Sequence, residues 1–192
     1  WLLSLELASL QKTVLLSHLE SLDGALQRKA ELSQQIEELA RTDAYRPRVE
    51  RLLCLRGIQT YSAMVLLTEV GDVARFATAP ELMAYFGLVP RECSSGQQRR
   101  TGSITKAGTS HARWILAEAA WSQMGRPQAS ERLKRLWSSQ PAEVVEIAKK
   151  AQQRLHHKFW SVASRKDRKT AATAVAREMV GFVWHILRTE PA

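Results

Sequence analysis

The sequence predicts an all-α protein, and three observations point there. Apolar residues recur at helical spacing through most of the 192 residues. No segment alternates apolar and polar side chains as a half-buried strand does. The interruptions fall at Gly and Pro, where helices stop. A hydrophobic share of 45% and a charged share of 24% belong to a folded protein rather than a disordered one. No apolar run approaches the roughly 20 residues that cross a bilayer, so no membrane partner is expected. Cys54 and Cys93 make neither a metal spacing nor a disulfide framework, which points to a reduced, cytoplasmic compartment. The opening Trp1-Leu2-Leu3-Ser4-Leu5-Glu6 has no initiator Met and no basic n-region, and reads as an internal cut in a longer chain.

Residues 2–41 are expected to be helical. Leu15, Leu19, Leu22 and Leu26 follow a 4-3-4 spacing, and Leu32, Ile36 and Leu39 resume it after a slip at Lys29. A coiled-coil arm or helical hairpin fits this stripe and implies a partner helix in the same chain or in another copy, as in a homo-oligomer; an amphipathic helix packed on its own domain fits it as well. Pro47 breaks the helix by biasing Arg46 away from helical angles. A short helix through Leu55 follows, then a second over about 61–70 that ends near Gly71. Thr78-Ala79-Pro80-Glu81 has the form of a capping box opening a helix that closes at Gly87. Residues 91–110, with Gly96, Gly102 and Gly108 among Ser, Gln, Thr and Arg, read as a loop. From Thr109 a helix carries Ala112, Ile115, Leu116, Ala119 and Ala120 on one face, and Arg126-Pro127 stops it. Two further helices are expected over about 142–159 and 171–188. Three parts result: an arm over 1–45, a helical domain over 46–125, and C-terminal helices over 126–192 packed on it.

Charge is distributed unevenly. The formal net charge is +9, and residues 91–192 alone carry nineteen basic against eight acidic side chains. Residues 1–45 carry four basic against seven acidic. A basic surface concentrates phosphates and suggests nucleic acid, DNA first and RNA second, though a basic protein that is merely soluble carries the same charge. Two segments match that chemistry. Leu52-x-x-Leu55-Arg56-Gly57-Ile58-Gln59-Thr60, with the small Ala63 beyond, reads either as a helix-hairpin-helix turn or as a tight turn that needs Gly57 for its angles. In the first reading Gly57, Ile58 and Thr60 offer backbone N–H groups to a DNA phosphate. The second segment runs from Cys93 to Gly108. Ser95 beside Gly96, with Arg99, Arg100, Lys106 and Arg113 nearby, has what a phosphodiester-attacking serine needs: exposure, flexible backbone and cations for developing charge. A plain phosphate-binding or solvated loop has the same composition. His156-His157 with Lys149, Lys150, Arg154 and Lys158 reads as a solvated basic face, and Trp114, Trp121, Trp137, Trp160 and Trp184 as core.

From Leu52 to Trp121 the chain resembles the C-terminal domain of insertion-sequence transposases that join an N-terminal RuvC-like acidic domain to a serine-bearing domain, the bridge-RNA-guided recombinases. The resemblance rests on Leu55-Arg56-Gly57-Ile58 with Ala63, Glu69-Val70-Gly71-Asp72 with Phe76, and Tyr85-Phe86-Gly87-Leu88-Val89-Pro90. It continues in order through Ser95-Gly96, Gly102-Ser103-Ile104-Thr105-Lys106-Ala107-Gly108 and Ala112-Arg113 with Leu116, Ala119 and Ala120. It implies a two-part active site. Four carboxylates of the N-terminal domain bind divalent metal such as magnesium, and the C-terminal serine becomes linked to the cut DNA end. That serine falls on Ser95, with Ser94 as its alternative. No Asp or Glu set here has a RuvC-like context, so these residues are expected to bind no catalytic metal and to be inactive alone.

Overall fold

The computed structural model describes residues 1–92 and 101–189. Helix α1 spans Ser9–Ala40, behind a short 3-10 turn at Leu2–Ser4, so it begins seven residues later than the leucine pattern suggested. Gln11 Oε1 accepts the Ala8 N–H at 3.2 Å and steadies its first turn. The 32-residue rod buries nothing before Ala40. Leu22 and Leu26 are 53% and 52% exposed. Only Ile36 and Ala40 reach the core, where the rod's end meets α3 (Thr60–Val70).

Helix α2 is Arg46–Leu53, with Pro47 in its first turn. Arg46 is helical, contrary to expectation, because a first-turn proline lacks an N–H that has no helical acceptor anyway. The break lies instead in the turns over 41–45. Helix α4 is Ala79–Tyr85. The capping box does not form: the Thr78 side chain caps nothing, and Glu81 Oε2 takes the N–H of Ala77, one residue before the cap, at 2.9 Å. Helix α5, Ser110–Trp121, is capped by Thr109 Oγ1, which accepts from the His111 and Ala112 N–H groups at 3.2 and 3.4 Å.

Two features were not expected. Residues 91–110 are not all loop: β1 (Pro90–Glu92) and β2 (Thr101–Ile104) pair antiparallel, with Pro90 opposite Ile104 and Glu92 opposite Thr101. Strands of three and four residues are too short to show alternation. Between 126 and 141 lies a further helix, α6 (Glu131–Ser138), opened by Ser130 Oγ accepting the Leu133 N–H at 3.3 Å. Helices α7 (Ala142–Ala163) and α8 (Arg168–Arg188) are longer than their apolar stripes.

Helix α8 is the centre of the core and packs on α7, α5, α4 and α2. Ala172, Val175, Ala176, Met179, Val183 and Ile186 are all buried on it. Its C-terminal end is tied into the rest of the molecule. Trp184 Nε1 donates to the Phe76 carbonyl at 3.0 Å and Arg188 to that of Ala77 at 3.3 Å. The buried Arg51 guanidinium of α2 donates to the Thr189 carbonyl at 3.0 Å, a cation placed where the helix dipole favours one.

Candidate nucleic-acid interface

Helices α2 and α3 are joined by a turn over 54–59. Gly57 has φ +91°, and a Cβ there would collide with Ser122 Oγ and the Ala119 carbonyl oxygen. The turn therefore lies directly on the end of α5, and glycine is required by close packing as well as by its angle. Ile58 is 1% exposed, and its N–H is already donated to the Leu55 carbonyl at 3.2 Å. Its side chain anchors the turn in the core. The start of α3 differs. Gln59 provides no side-chain cap, and the first intrahelical acceptor, the Gln59 carbonyl, is taken by Ala63. The N–H groups of Thr60, Tyr61 and Ser62 thus have no acceptor within the helix. Thr60 and Tyr61 line a cleft of about 500 Å³ that also receives Arg132 from α6 and Glu37 from α1.

At the other end of α5, the segment after β2 is pressed against α4. Thr105 and Lys106 donate their N–H groups to the Val89 and Gly87 carbonyls at 2.9 and 3.0 Å. Gly87 has φ +67°, and a Cβ on it would strike the backbone of Ala107. Lys106 itself has φ +58°, a conformation that costs a non-glycine residue energy, and its side chain is exposed. Arg113 Nη1 lies 2.7, 3.0 and 3.3 Å from the carbonyls of Ala107, Gly108 and Phe86. This guanidinium edge staples the crossing of α4 with the approach to α5. Lys106 and Arg113 therefore share one corner. Gly57 sits against Ala119, six residues further along α5, or about 9 Å up the helix axis. Ser94, Ser95, Arg99 and Arg100 lie outside the described residues, in the stretch of sequence that joins β1 to β2.

Other side chains depart from their expected places. Trp114 is 56% and Trp160 42% exposed, so neither is core, whereas Trp121, Trp137 and Trp184 are partly buried against it. Trp160 Nε1 donates to the Met124 carbonyl at 3.1 Å, and His156 Nδ1 is 2.9 Å from that of Gln123. His156 thus ties α7 to the 3-10 turn Ser122–Met124 rather than standing in solvent. On the outer face of α7, Arg154 and Lys158 both pair with Glu178, which offsets part of that basic face. Burial, with the Glu50 charge adding to it, raises the Cys54 thiol to a pKa of about 11, so it is not a nucleophile at neutral pH. Among the described residues no group of three or more His, Cys, Asp or Glu side chains is placed to hold a metal ion, and no helix is long and apolar enough to cross a membrane.

The turn, the two strands and α5 all fall within the stretch that is similar to known transposases. Residues 49–136 match the Transposase IS116/IS110/IS902 family. The y4qE protein of Sinorhizobium fredii, named as a transposase, is 41% identical over 138 residues, which cover 71% of this chain and 35% of that protein. A family 20 transposase of Pseudomonas aeruginosa is 36% identical over 126 residues, 63% of this chain and 36% of its own. The transposase for insertion sequence element IS1533 of Leptospira borgpetersenii is 33% identical over 129 residues, 67% of this chain and 37% of its own. The chain spans little more than a third of the length of these relatives. Over these stretches the chain is similar to insertion-sequence transposases of the IS116/IS110/IS902 family.

Proposed function

We propose that this chain is the part of a transposase that grips DNA and supplies the nucleophilic serine for strand exchange. The observation that carries the reading is the family match over 49–136, which takes in the α2–α3 turn, the sequence between the two strands, and α5. Ser95 is the proposed nucleophile, with Ser94 its alternative. Arg99, Arg100 and Lys106 are the proposed cations around the phosphate that is attacked. The open first turn of α3, beside Arg132, supports a second, non-reacting phosphate contact at Thr60. Since the Ile58 N–H is already bonded, that contact falls on the start of α3 rather than on the turn itself. Magnesium, which the reaction class calls for, is assigned to the acidic domain that the resemblance implies. RNA as a further partner, and a homo-oligomer built through the exposed leucines of α1, belong to the same reading.

The α3 N-terminus also fits a non-catalytic DNA-binding module, and one experiment separates the two. The full-length protein is incubated with its insertion-sequence DNA, denatured, and examined for a covalent protein–DNA species. Ser95→Ala is expected to lose the covalent species and strand exchange while retaining binding, with Ser94→Ala active. If Ser94→Ala alone is inactive, the nucleophile moves by one residue. If Ser95→Ala and Ser94→Ala both exchange strands at the normal rate, the serine mechanism is wrong and the binding module stands.

A further inference from the structure

We infer that a pocket between α3 and α5 receives one unpaired nucleobase, preferably one that carries an exocyclic amino group. Two aromatic side chains stand unusually open there, Tyr61 at 43% and Trp114 at 56% exposure. His111 braces both. Its Nε2 lies 3.0 Å from the Tyr61 hydroxyl, and its ring meets that of Trp114 edge-on, with centroids 5.8 Å apart at 89°. The cluster therefore holds two rings in fixed orientation with much of their surface uncovered, although rings of this kind bury readily when the fold offers them a place.

Both rings border a cavity of about 290 Å³, which Gln59, Ser62 and Glu118 also line. That volume lies just below the range of drug-sized ligand sites, roughly 300–1,000 Å³, and suits a single planar group. The walls combine aromatic faces with hydrogen-bonding side chains, which is how a base outside its helix is held: by stacking and through its edge. Glu118 gives the preference. It has no hydrogen bond or ion pair among the described residues, and a carboxylate accepts from the amino groups of cytosine, adenine or guanine but meets only carbonyls and a ring N–H on thymine or uracil. The location agrees. Thr60, where α3 is proposed to hold a phosphate, immediately precedes Tyr61, so neighbouring residues address the backbone and the base of one strand. The inference rests on the nucleic-acid reading above and adds the base site to it.

The test compares oligodeoxycytidine, oligothymidine and an abasic sugar–phosphate strand of equal length, each titrated against the protein at low salt. The wild-type protein is expected to bind oligodeoxycytidine at least roughly tenfold more tightly than the abasic strand, the scale of one base stacked on an aromatic side chain. Trp114→Ala, checked for unchanged far-UV circular dichroism, should remove that preference and leave abasic binding as it was, and Tyr61→Ala should also lower the preference. Glu118→Gln should bring the cytosine and thymine strands to near-equal affinity. Equal wild-type affinity for base-bearing and abasic strands overturns the pocket but not the phosphate contact, as does a preference that survives Trp114→Ala. If no strand binds even at low salt, the nucleic-acid reading fails and the base pocket with it.

Discussion

Arg113 shows how a single side chain changes meaning once its surroundings are known. A cation beside a Ser-Gly segment suggests a phosphate clamp, yet its Nη1 faces three backbone carbonyls where α4, the segment after β2 and α5 meet. Hydrogen bonds to a charged donor contribute about 1.5–3 kcal/mol each at most, and these three share one nitrogen. Arg113→Ala is therefore expected to cost about 2 kcal/mol of stability in urea unfolding. Arg113→Lys should recover only part of that, since its charge is kept but its ammonium is more strongly hydrated than a guanidinium. Loss of nucleic-acid binding with unaltered stability would return Arg113 to the role of clamp. Gly87 tests the same corner from the backbone. A methyl group there must fit a φ of +67° and displace the Ala107 backbone, so Gly87→Ala should cost about 3 kcal/mol or more. Gly24→Ala, which meets nothing within 4 Å on α1, should instead raise helicity in circular dichroism.

At the scale of elements, what the sequence disclosed depended on length and period. Helices α1, α5 and α8 announce themselves because their apolar stripes run for several turns, and Thr109 marks the start of α5 as a capping residue should. Helix α6 escaped notice because Arg132, Lys134 and Arg135 leave only Leu133, Leu136 and Trp137 to define a face; Ser130 was the one available signal. The hairpin was illegible because strands this short carry no alternation, and its pairing depends on partners nine to fourteen residues away. The site was legible in composition but not in role. Gly57 and Ile58 mark the turn correctly, while packing against Ser122 and Leu55 decides what they do. The exposure of Trp114 contradicted the rule that large apolar residues go inside, which describes averages and not positions. The two threonine caps give a measurable contrast. Thr109 Oγ1 accepts two N–H groups, so Thr109→Ala should cost about 1 kcal/mol. Thr78 accepts none, so Thr78→Ala should lie within about 0.5 kcal/mol of the parent. Equal losses from the two variants in thermal unfolding would show that cap geometry does not set these helix starts.

The whole molecule separates its charges: an acidic arm with bare leucines at one end of the chain, and a basic second half around α8 at the other. The formal excess of residues 91–192 overstates what an anion meets, because Arg154 and Lys158 are turned to Glu178, and Lys134 to Glu131 at 2.7 Å. Arg132 differs, with no ion pair among the described residues and a place in the cleft where α3 starts. This distinction sets how binding should respond to salt. Each phosphate neutralised releases counterions and adds about 0.9 to the slope of log K against log salt on duplex DNA. A footprint of about five phosphates then gives a slope near −4.5, and affinity should fall roughly 500-fold between 50 mM and 200 mM salt. Arg132→Ala should reduce the magnitude of that slope by about one and weaken binding alike for unrelated sequences, as a phosphate contact does. Arg154→Ala should alter it far less, since its charge is already answered within the fold. A salt series by fluorescence anisotropy on the parent and both variants measures all three slopes. If the Arg132 and Arg154 variants give the same slope as the parent, the cleft at α3 holds no phosphate, and the basic contact lies elsewhere in the second half of the chain.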